Sequence, residues 1–491
     1  MLRRHLRQLA SDSVVYGLSG IVARFLSVWL VPIYTRLLSP QDYGTLSLVN
    51  ATLAVITSFS ALALDNSAYR WYWDTDDMHD RRRTIGSWLW CQTVVAGLAG
   101  LALWLLSDRV GIWTLQAADA GRFYRILAWY LPPFVVHVVA INWLRLQHRP
   151  WAAMWLTLAV SVSQIGLGLI LVVWLRKGVA GVFVAQLGSE ILGAAIALVL
   201  MRGWLSPRFF WMPRLREMLK YALPLIPAAV AVWVVNSSDR YFVQRYVSTT
   251  EAGLYSIGGA MAALVALVTG AFQQAWSPFA LSIHREANAQ RTYAMVLLGY
   301  SALTAVGVAA LGLFSPYAIQ LLATSRYLRA SEVVGLLALS YVLIGMSSIV
   351  SIGLSIAKTS HHSAVAITLA ALATIGLNAL FVPHYGMIGS AVATVIGQSI
   401  GPAYAMYRAH RLYPVRWPVR EVVALFVLSL VLVAAGVKIL PETGWTGFAA
   451  RVAAMLAFVP LAWVLASAHM DRIAPILASL RRRPRPATTD G

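Results

Sequence analysis

The chain has 491 residues, of which 59% are hydrophobic and only 12% charged. Soluble domains carry about a quarter charged residues, so this chain has too little charge to cover a water-facing surface, and lipid must be part of its solvent. The net charge of +20 does not point to nucleic acid, because Lys and Arg fall in short segments between apolar runs, where they set membrane topology. Cys91 is the one cysteine, so no internal disulfide forms; no Cys/His cluster marks a metal site, and no cofactor is expected.

The N-terminal stretch MLRRHLRQLASD is basic and precedes an apolar segment that continues past Trp29 without a small-residue cleavage site. This predicts a retained first helix rather than a signal peptide. A bilayer core needs about 20 mostly apolar residues per helix. Fourteen segments meet that need, near 13–35, 44–65, 84–106, 123–144, 151–175, 179–201, 221–243, 253–280, 293–314, 332–357, 362–382, 387–407, 421–440 and 448–469. The fold class is therefore an all-α polytopic membrane protein. Pro132 and Pro133 break the fourth segment, and the seventh holds Pro224, Pro227, Asp239 and Arg240.

The longest internal loops are 66–83 and 202–220; the outer loops 107–122 and 441–447 are short. In 202–220, Phe209, Phe210 and Trp211 stand beside Arg208, Arg214, Arg216 and Lys220, which is the composition of an interfacial helix on the cytoplasmic face. With the N-terminus in the cytoplasm, Lys and Arg on that side outnumber those on the other by more than two to one. That places both termini inside.

Segments recur at nearly one spacing. RLLSPQDYGTLSL at 36–48 matches RYVSTTEAGLYSI at 245–257, and GVAGVFVAQLGSE at 178–190 matches GMIGSAVATVIGQ at 386–398. A weaker echo joins 157–167 to 368–377. Three matches in one order predict two homologous six-helix halves. The expected division is a six-helix bundle at 1–205, a cytoplasmic interfacial linker at 206–220, a second bundle at 221–410, two further helices at 411–470 and a basic cytoplasmic tail at 471–491. Six is even, so both halves enter the membrane in the same direction, a parallel repeat of the kind that puts a substrate site between halves.

These segments also carry a resemblance. LLSPQDYGTLSL after the first helix, ALDNSAYRWYWDTDD at 63–77, LPLIP to SSDRYFV in the seventh helix, then TEAGLYS, FQQAWSPF at 272–279 and YGMIGSAVAT at 385–394 follow one another as in a known family. Their order and spacing resemble those of the polysaccharide repeat-unit flippases of bacteria, within the multidrug/oligosaccharidyl-lipid/polysaccharide exporter superfamily. The match covers about 1–410. The resemblance implies fourteen helices, a V-shaped pair of bundles, alternating access, a bacterial inner membrane and a polyprenyl-diphosphate-linked oligosaccharide as substrate. A glycan polymerase and export machinery are the partners it implies.

Such a substrate needs a cation-lined cavity, which directs attention to charges inside apolar runs. Arg24 sits mid-run in YGLSGIVARFLSVWLV, too deep to reach the interface; its guanidinium suits diphosphate through forked hydrogen bonds. The plainer role is an ion pair with another helix. Arg240 is the candidate cavity cation of the second half, and Arg70 the candidate at the cytoplasmic mouth. Asp239 is expected to hold an Arg, carry a coupling proton, or form a helix-end pair near the outer interface. Glu190, flanked by small residues in AQLGSEILGA, is expected to be a proton site or an Arg partner. Arg36 and Arg245, equivalent in the repeat, read as snorkelling anchors, and His137 as a packing residue.

Three functions compete. The first is the lipid-linked oligosaccharide flippase, and the second a cation-coupled small-molecule exporter of the same superfamily. The third is a membrane polymerase or glycosyltransferase, which the short outer loops disfavour because they offer no paired carboxylates and no Gly-rich phosphate loop. The chain is therefore read as a transporter and not an enzyme.

Overall fold

The computed structural model describes residues 31–470 except Ser360. Every described regular element is a helix. This follows from the solvent: in hydrocarbon each backbone polar group must be satisfied within its own segment. Among the described residues ten helices are long and apolar enough to cross a membrane, or twelve if each of two bent pairs counts as one span. The chain forms a multi-pass membrane protein with two compact units.

The first unit comprises Met1–Ile257, Ile319–Ala330 and Ile367–Gly397. It contains α1 (Pro40–Ala61), α2 (Leu64–Trp73), α3 (Met78–Leu105), α4 (Ser107–Leu115), α5 (Gly121–Ala128), α6 (Leu131–Leu146), α7 (Pro150–Gly168), α8 (Gly178–Leu200), α9 (Met212–Ala222) and α10 (Ile226–Tyr246), and most of α11 (Thr249–Ala262). Ser39 opens α1 with a capping box: its hydroxyl accepts from the Asp42 N–H, and the Asp42 carboxylate accepts from the Ser39 N–H. Leu62 and Ala63 both turn left-handed, at φ 49°, and divide α1 from α2.

Two expectations from sequence are corrected. The loop expected at 66–83 is helical as far as Trp73, because LDNSAYRWYW turns Leu64, Ser67, Ala68 and Tyr72 inward at helical spacing. The loop expected at 107–122 carries α4, whose C-terminus is closed by left-handed Gln116. The prolines of the fourth span act as anticipated: Pro132 and Pro133 fall in the first turn of α6, where no intrahelical N–H is lost, and α5 and α6 meet at a 40° bend.

α9 buries Leu215, Met218 and Ala222. The segment before it is fastened to α3 by two hydrogen bonds between Trp211 and Ser87 and one from Trp90 Nε1 to the Leu205 carbonyl. Arg214 Nη2 lies 2.6 Å from Asp80 Oδ2. Within the unit α8 packs on α6 and α7, α6 on α3, and α10 on α1.

The repeat seen in sequence has a local structural counterpart. Gly44 of α1 and Gly253 of α11 are related by the same shift as Ser47 and Ser256, and the two glycine backbones touch. A Cβ on Gly44 would meet the Thr249 carbonyl, and one on Gly253 the Pro40 carbonyl. One turn further on, the Ser256 hydroxyl donates to Ser47 Oγ at 2.6 Å across a separation of 209 residues. Ser248 caps α11 through the Glu251 N–H at 3.1 Å, as Ser39 caps α1. Repeat-equivalent residues therefore face one another.

The 52-residue helix α16 (His361–Leu412), whose middle part belongs to the first unit, would be about 78 Å long if straight, far beyond a bilayer core of about 30 Å. It is instead two antiparallel arms joined at Gly386, whose φ of 56° and ψ of −137° are open to glycine and costly for other residues. Close approach of Gly397 to Thr374, of Ser390 to Asn378 and of Gly389 to Phe381 fixes the hairpin. Its repeat counterpart Gly178 also has φ 56°.

The second unit comprises Gly258–Ala318, Ser331–Ala366 and Gln398–Gly491. It holds α12 (Leu264–Ser282), most of α13 (Ala289–Leu322), α14 (Ser331–Val350), α15 (Ile352–Ile356), the ends of α16, α17 (Val419–Ile439) and α18 (Trp445–Met470). α14 is its core, packed against α12 and α17. Arg451 of α18 is fully buried; its guanidinium donates to the carbonyls of Gly436, Pro441 and Gly447 and lies over the Tyr317 ring.

Candidate functional site

Asp239 lies within α10 and is 6% exposed. Its carboxylate accepts from the Tyr255 hydroxyl at 2.7 Å and from the Arg240 N–H at 2.9 Å. The Tyr255 hydroxyl is 3.4 Å from Thr394 Oγ1. Thr394 donates to the Ser390 carbonyl, Ser390 Oγ donates to Asn378 Oδ1 at 2.6 Å, and Asn378 Nδ2 donates to the Thr374 carbonyl. The helical spacings produce this alignment: Ser390 and Thr394 are one turn apart on one arm of α16, as are Thr374 and Asn378 on the other. Glycine at 386 brings the arms together, and glycine at 397 leaves room for Thr374.

Among the described residues this buried carboxylate accepts its hydrogen bonds from a hydroxyl and a backbone N–H, and no Arg side chain forms an ion pair with it. Seven residues from the end of α10 and buried, Asp239 is not at a helix end. Its neighbour Arg240 is half-buried, makes no ion pair among the described residues, and has a buried Nε with no hydrogen-bond partner. Adjacent helical residues point about 100° apart, which is why the two side chains diverge. A cation in an apolar span without a carboxylate is costly unless it meets water or a ligand.

Glu190 of α8 is 7% exposed, and its Oε2 lies 2.8 Å from His137 Nδ1 of α6. Among the described residues its partner is a histidine, so His137 makes a polar contact as well as packing. Gly193, one turn beyond Glu190, makes the pair fit: a Cβ there would press on Val160 and on the His137 ring. His137 Nε2 is buried without a hydrogen-bond partner among the described residues.

Arg70 of α2 is exposed, and its guanidinium lies over the rings of Trp71 and Tyr221 at 5.7 and 5.5 Å. It belongs to an aromatic cluster in which Trp71 Nε1 donates to Glu217, apart from the Asp239 network. Arg24 lies outside the described residues. Asp239 and Arg240 were legible as charges inside an apolar run. Tyr255, Ser390, Asn378 and Thr394 were not, because single hydroxyls and amides are common in membrane helices. The one signal for His137 was a ring nitrogen in an apolar run near a glutamate of another span.

Residues 9–284 match the family model described as polysaccharide biosynthesis protein. The chain belongs to that family. Among curated relatives, it is similar to the succinoglycan biosynthesis transport protein ExoT of Rhizobium meliloti, 23% identical over 48% of this chain and 46% of that one. It is also similar to a protein of the Lsg locus of Haemophilus influenzae, 19% identical over 55% of this chain and 65% of that one. The matched segments thus span less than two thirds of either relative. In fold it is similar to the lipid II flippase MurJ in an inward closed conformation, with TM-score 0.72 and 15% identity over 94% of this chain and all of that one. An inward-facing multidrug resistance transporter of the MATE family gives TM-score 0.62, also at 15% identity, over 84% of this chain and 95% of that one. This polysaccharide biosynthesis family member thus shares the fold of these two membrane proteins.

Proposed function

We propose that this chain flips polyprenyl-diphosphate-linked oligosaccharide repeat units across the bacterial inner membrane by alternating access, for exopolysaccharide, capsule or O-antigen synthesis. The observation that carries this reading is Arg240, a cation inside an apolar span with no ion pair among the described residues, in a family of polysaccharide biosynthesis. A guanidinium binds diphosphate oxygens through paired N–H donors and stays charged throughout the cycle. Arg240 and Arg24 are the cavity cations in this scheme, and Arg70 meets the headgroup at the cytoplasmic mouth. Asp239 and Glu190 couple transport to an ion gradient in this scheme, since both are buried carboxylates that meet, among the described residues, one hydroxyl-bearing or ionisable side chain each.

In cells that depend on this chain for export, Arg240→Ala is expected to reduce glycan export by tenfold or more while inserted protein remains, and Arg240→Lys to restore part of it. Wild-type export from an adequately expressed Arg240→Ala strain would defeat the cavity role. Asp239→Asn and Glu190→Gln are tested in vesicles under imposed proton or sodium gradients. Unchanged gradient dependence in both would remove them as coupling sites. Buried Asp239, with no ion pair among the described residues, equally suits a cation-coupled small-molecule exporter. Competition between polyprenyl-diphosphate sugar and small organic cations separates the two readings.

A further inference from the structure

A cavity of about 590 Å³ opens within the first unit, lined by α4, α10 and the first arm of α16. Three rings form one wall. Tyr241 lies 5.8 Å from Trp113, tilted by 36°, and 6.0 Å from Trp233. Two of these rings are held from behind. The Tyr241 hydroxyl is 2.8 Å from Thr52 Oγ1, which in turn lies 3.2 Å from the Tyr124 hydroxyl, itself 2.7 Å from Thr114. Trp233 Nε1 donates to the Ala51 carbonyl at 3.0 Å. Their polar tips are therefore satisfied by protein, and their faces are left for a ligand.

Two other polar groups of the wall, Ser238 and Arg245, have no such partner among the described residues. Ser238 is 7% exposed, and its hydroxyl is buried with no hydrogen-bond partner. Arg245 lines the same cavity and makes no ion pair among the described residues. Trp113 is 71% exposed. From Trp233 to Tyr246 the lining follows α10 for about 20 Å, the length of a short oligosaccharide and not of a single small molecule.

We infer that this cavity is a saccharide-binding site, in which the rings of Trp113, Tyr241 and Trp233 stack on the C–H faces of successive sugars while Ser238 and Arg245 hydrogen-bond their hydroxyls. The inference rests on the flippase reading and assigns the sugar portion of that substrate to a surface separate from Arg240. Sugars carry both an apolar face and a rim of hydroxyls, which matches a wall of fixed rings edged by unpaired donors. An isoprenoid tail would cover Ser238 and Arg245 without satisfying them, at a desolvation cost. Ring faces fixed in advance also reduce the entropy lost on binding.

The test uses the purified full chain in lipid nanodiscs. It is titrated with a panel of soluble gluco-, galacto- and mannotetraoses, and separately with farnesyl diphosphate as a sugar-free lipid probe. The wild type is expected to bind at least one tetraose saturably. Trp113→Ala is expected to weaken that binding by about tenfold with an unchanged melting temperature and unchanged farnesyl diphosphate binding. Ser238→Ala is expected to weaken it by a smaller factor. No saturable tetraose binding, or tetraose binding unaffected by Trp113→Ala, overturns the inference and leaves Trp113 an interfacial ring. Farnesyl diphosphate weakened by Trp113→Ala in place of tetraose also overturns it and makes the cavity a lipid groove. Flipping of lipid-linked oligosaccharide by reconstituted wild type is measured alongside. Its absence with tetraose binding intact would remove the flippase reading and leave the saccharide site.

Discussion

At the scale of single residues, membrane helices leave few places for charge, and each buried charge here has its own solution. Asp239 accepts two hydrogen bonds from neutral donors, Glu190 meets one imidazole, and Arg451 donates to three backbone carbonyls. Hydrogen bonds to charged groups contribute about 1.5–3 kcal/mol, and leaving one member buried alone is costlier than losing both. A double-mutant cycle with His137→Phe, Glu190→Gln and the double variant is therefore expected to give a coupling energy of about 1–3 kcal/mol, read from thermal denaturation in detergent. Coupling near zero would show that the 2.8 Å contact contributes nothing. Arg451→Met removes the three guanidinium hydrogen bonds to the carbonyls of Gly436, Pro441 and Gly447, and the melting temperature is expected to fall by several degrees. An unchanged melt would mean that those carbonyls find other partners.

At the scale of elements, the contact of α1 with α11 decides how closely the repeat-equivalent helices approach. Gly44→Val is expected to destabilise by about 1–3 kcal/mol through overpacking, because its side chain would enter the Thr249 carbonyl. Gly253→Val has the same expected effect against Pro40. The approach is directly measurable. In a Cys91→Ala background, Ser47→Cys with Ser256→Cys is expected to form a disulfide under mild oxidation, since the two hydroxyls lie 2.6 Å apart. A protease site placed near Ser206 would expose the crosslink as a single band on a non-reducing gel. Two separate fragments would contradict the contact. The spans were legible because lipid evaluates each apolar run on its own. The helical stretches Leu64–Trp73 and Ser107–Leu115 were read as loops because their charges and small polar residues lower hydropathy without preventing a helix.

At the scale of the whole molecule, topology follows from where Lys and Arg lie. The charge bias predicts a cytoplasmic C-terminus, so green fluorescent protein fused after Gly491 is expected to fluoresce and alkaline phosphatase fused there to be inactive. The opposite pair of results would invert the orientation. Composition and hydropathy, read from the sequence alone, determined that the chain crosses a membrane many times as helices. The order of the repeated segments pointed to two related halves, and to Asp239 and Arg240 as charges set where lipid alone would not tolerate them. Those signals are local, carried by each segment's own free energy in hydrocarbon. Only the tertiary structure decided that Asp239 faces Tyr255, that Glu190 faces His137, and that Gly44 lies against Gly253. Such pairings join residues from 16 to 209 positions apart, and hydrogen bonds between distant hydroxyls, amides and imidazoles leave no period in the sequence. The first and seventh spans stood out for their charges; the fold adds that the carboxylate of the seventh accepts from Tyr255, whose hydroxyl lies against a hairpin whose bend requires a glycine.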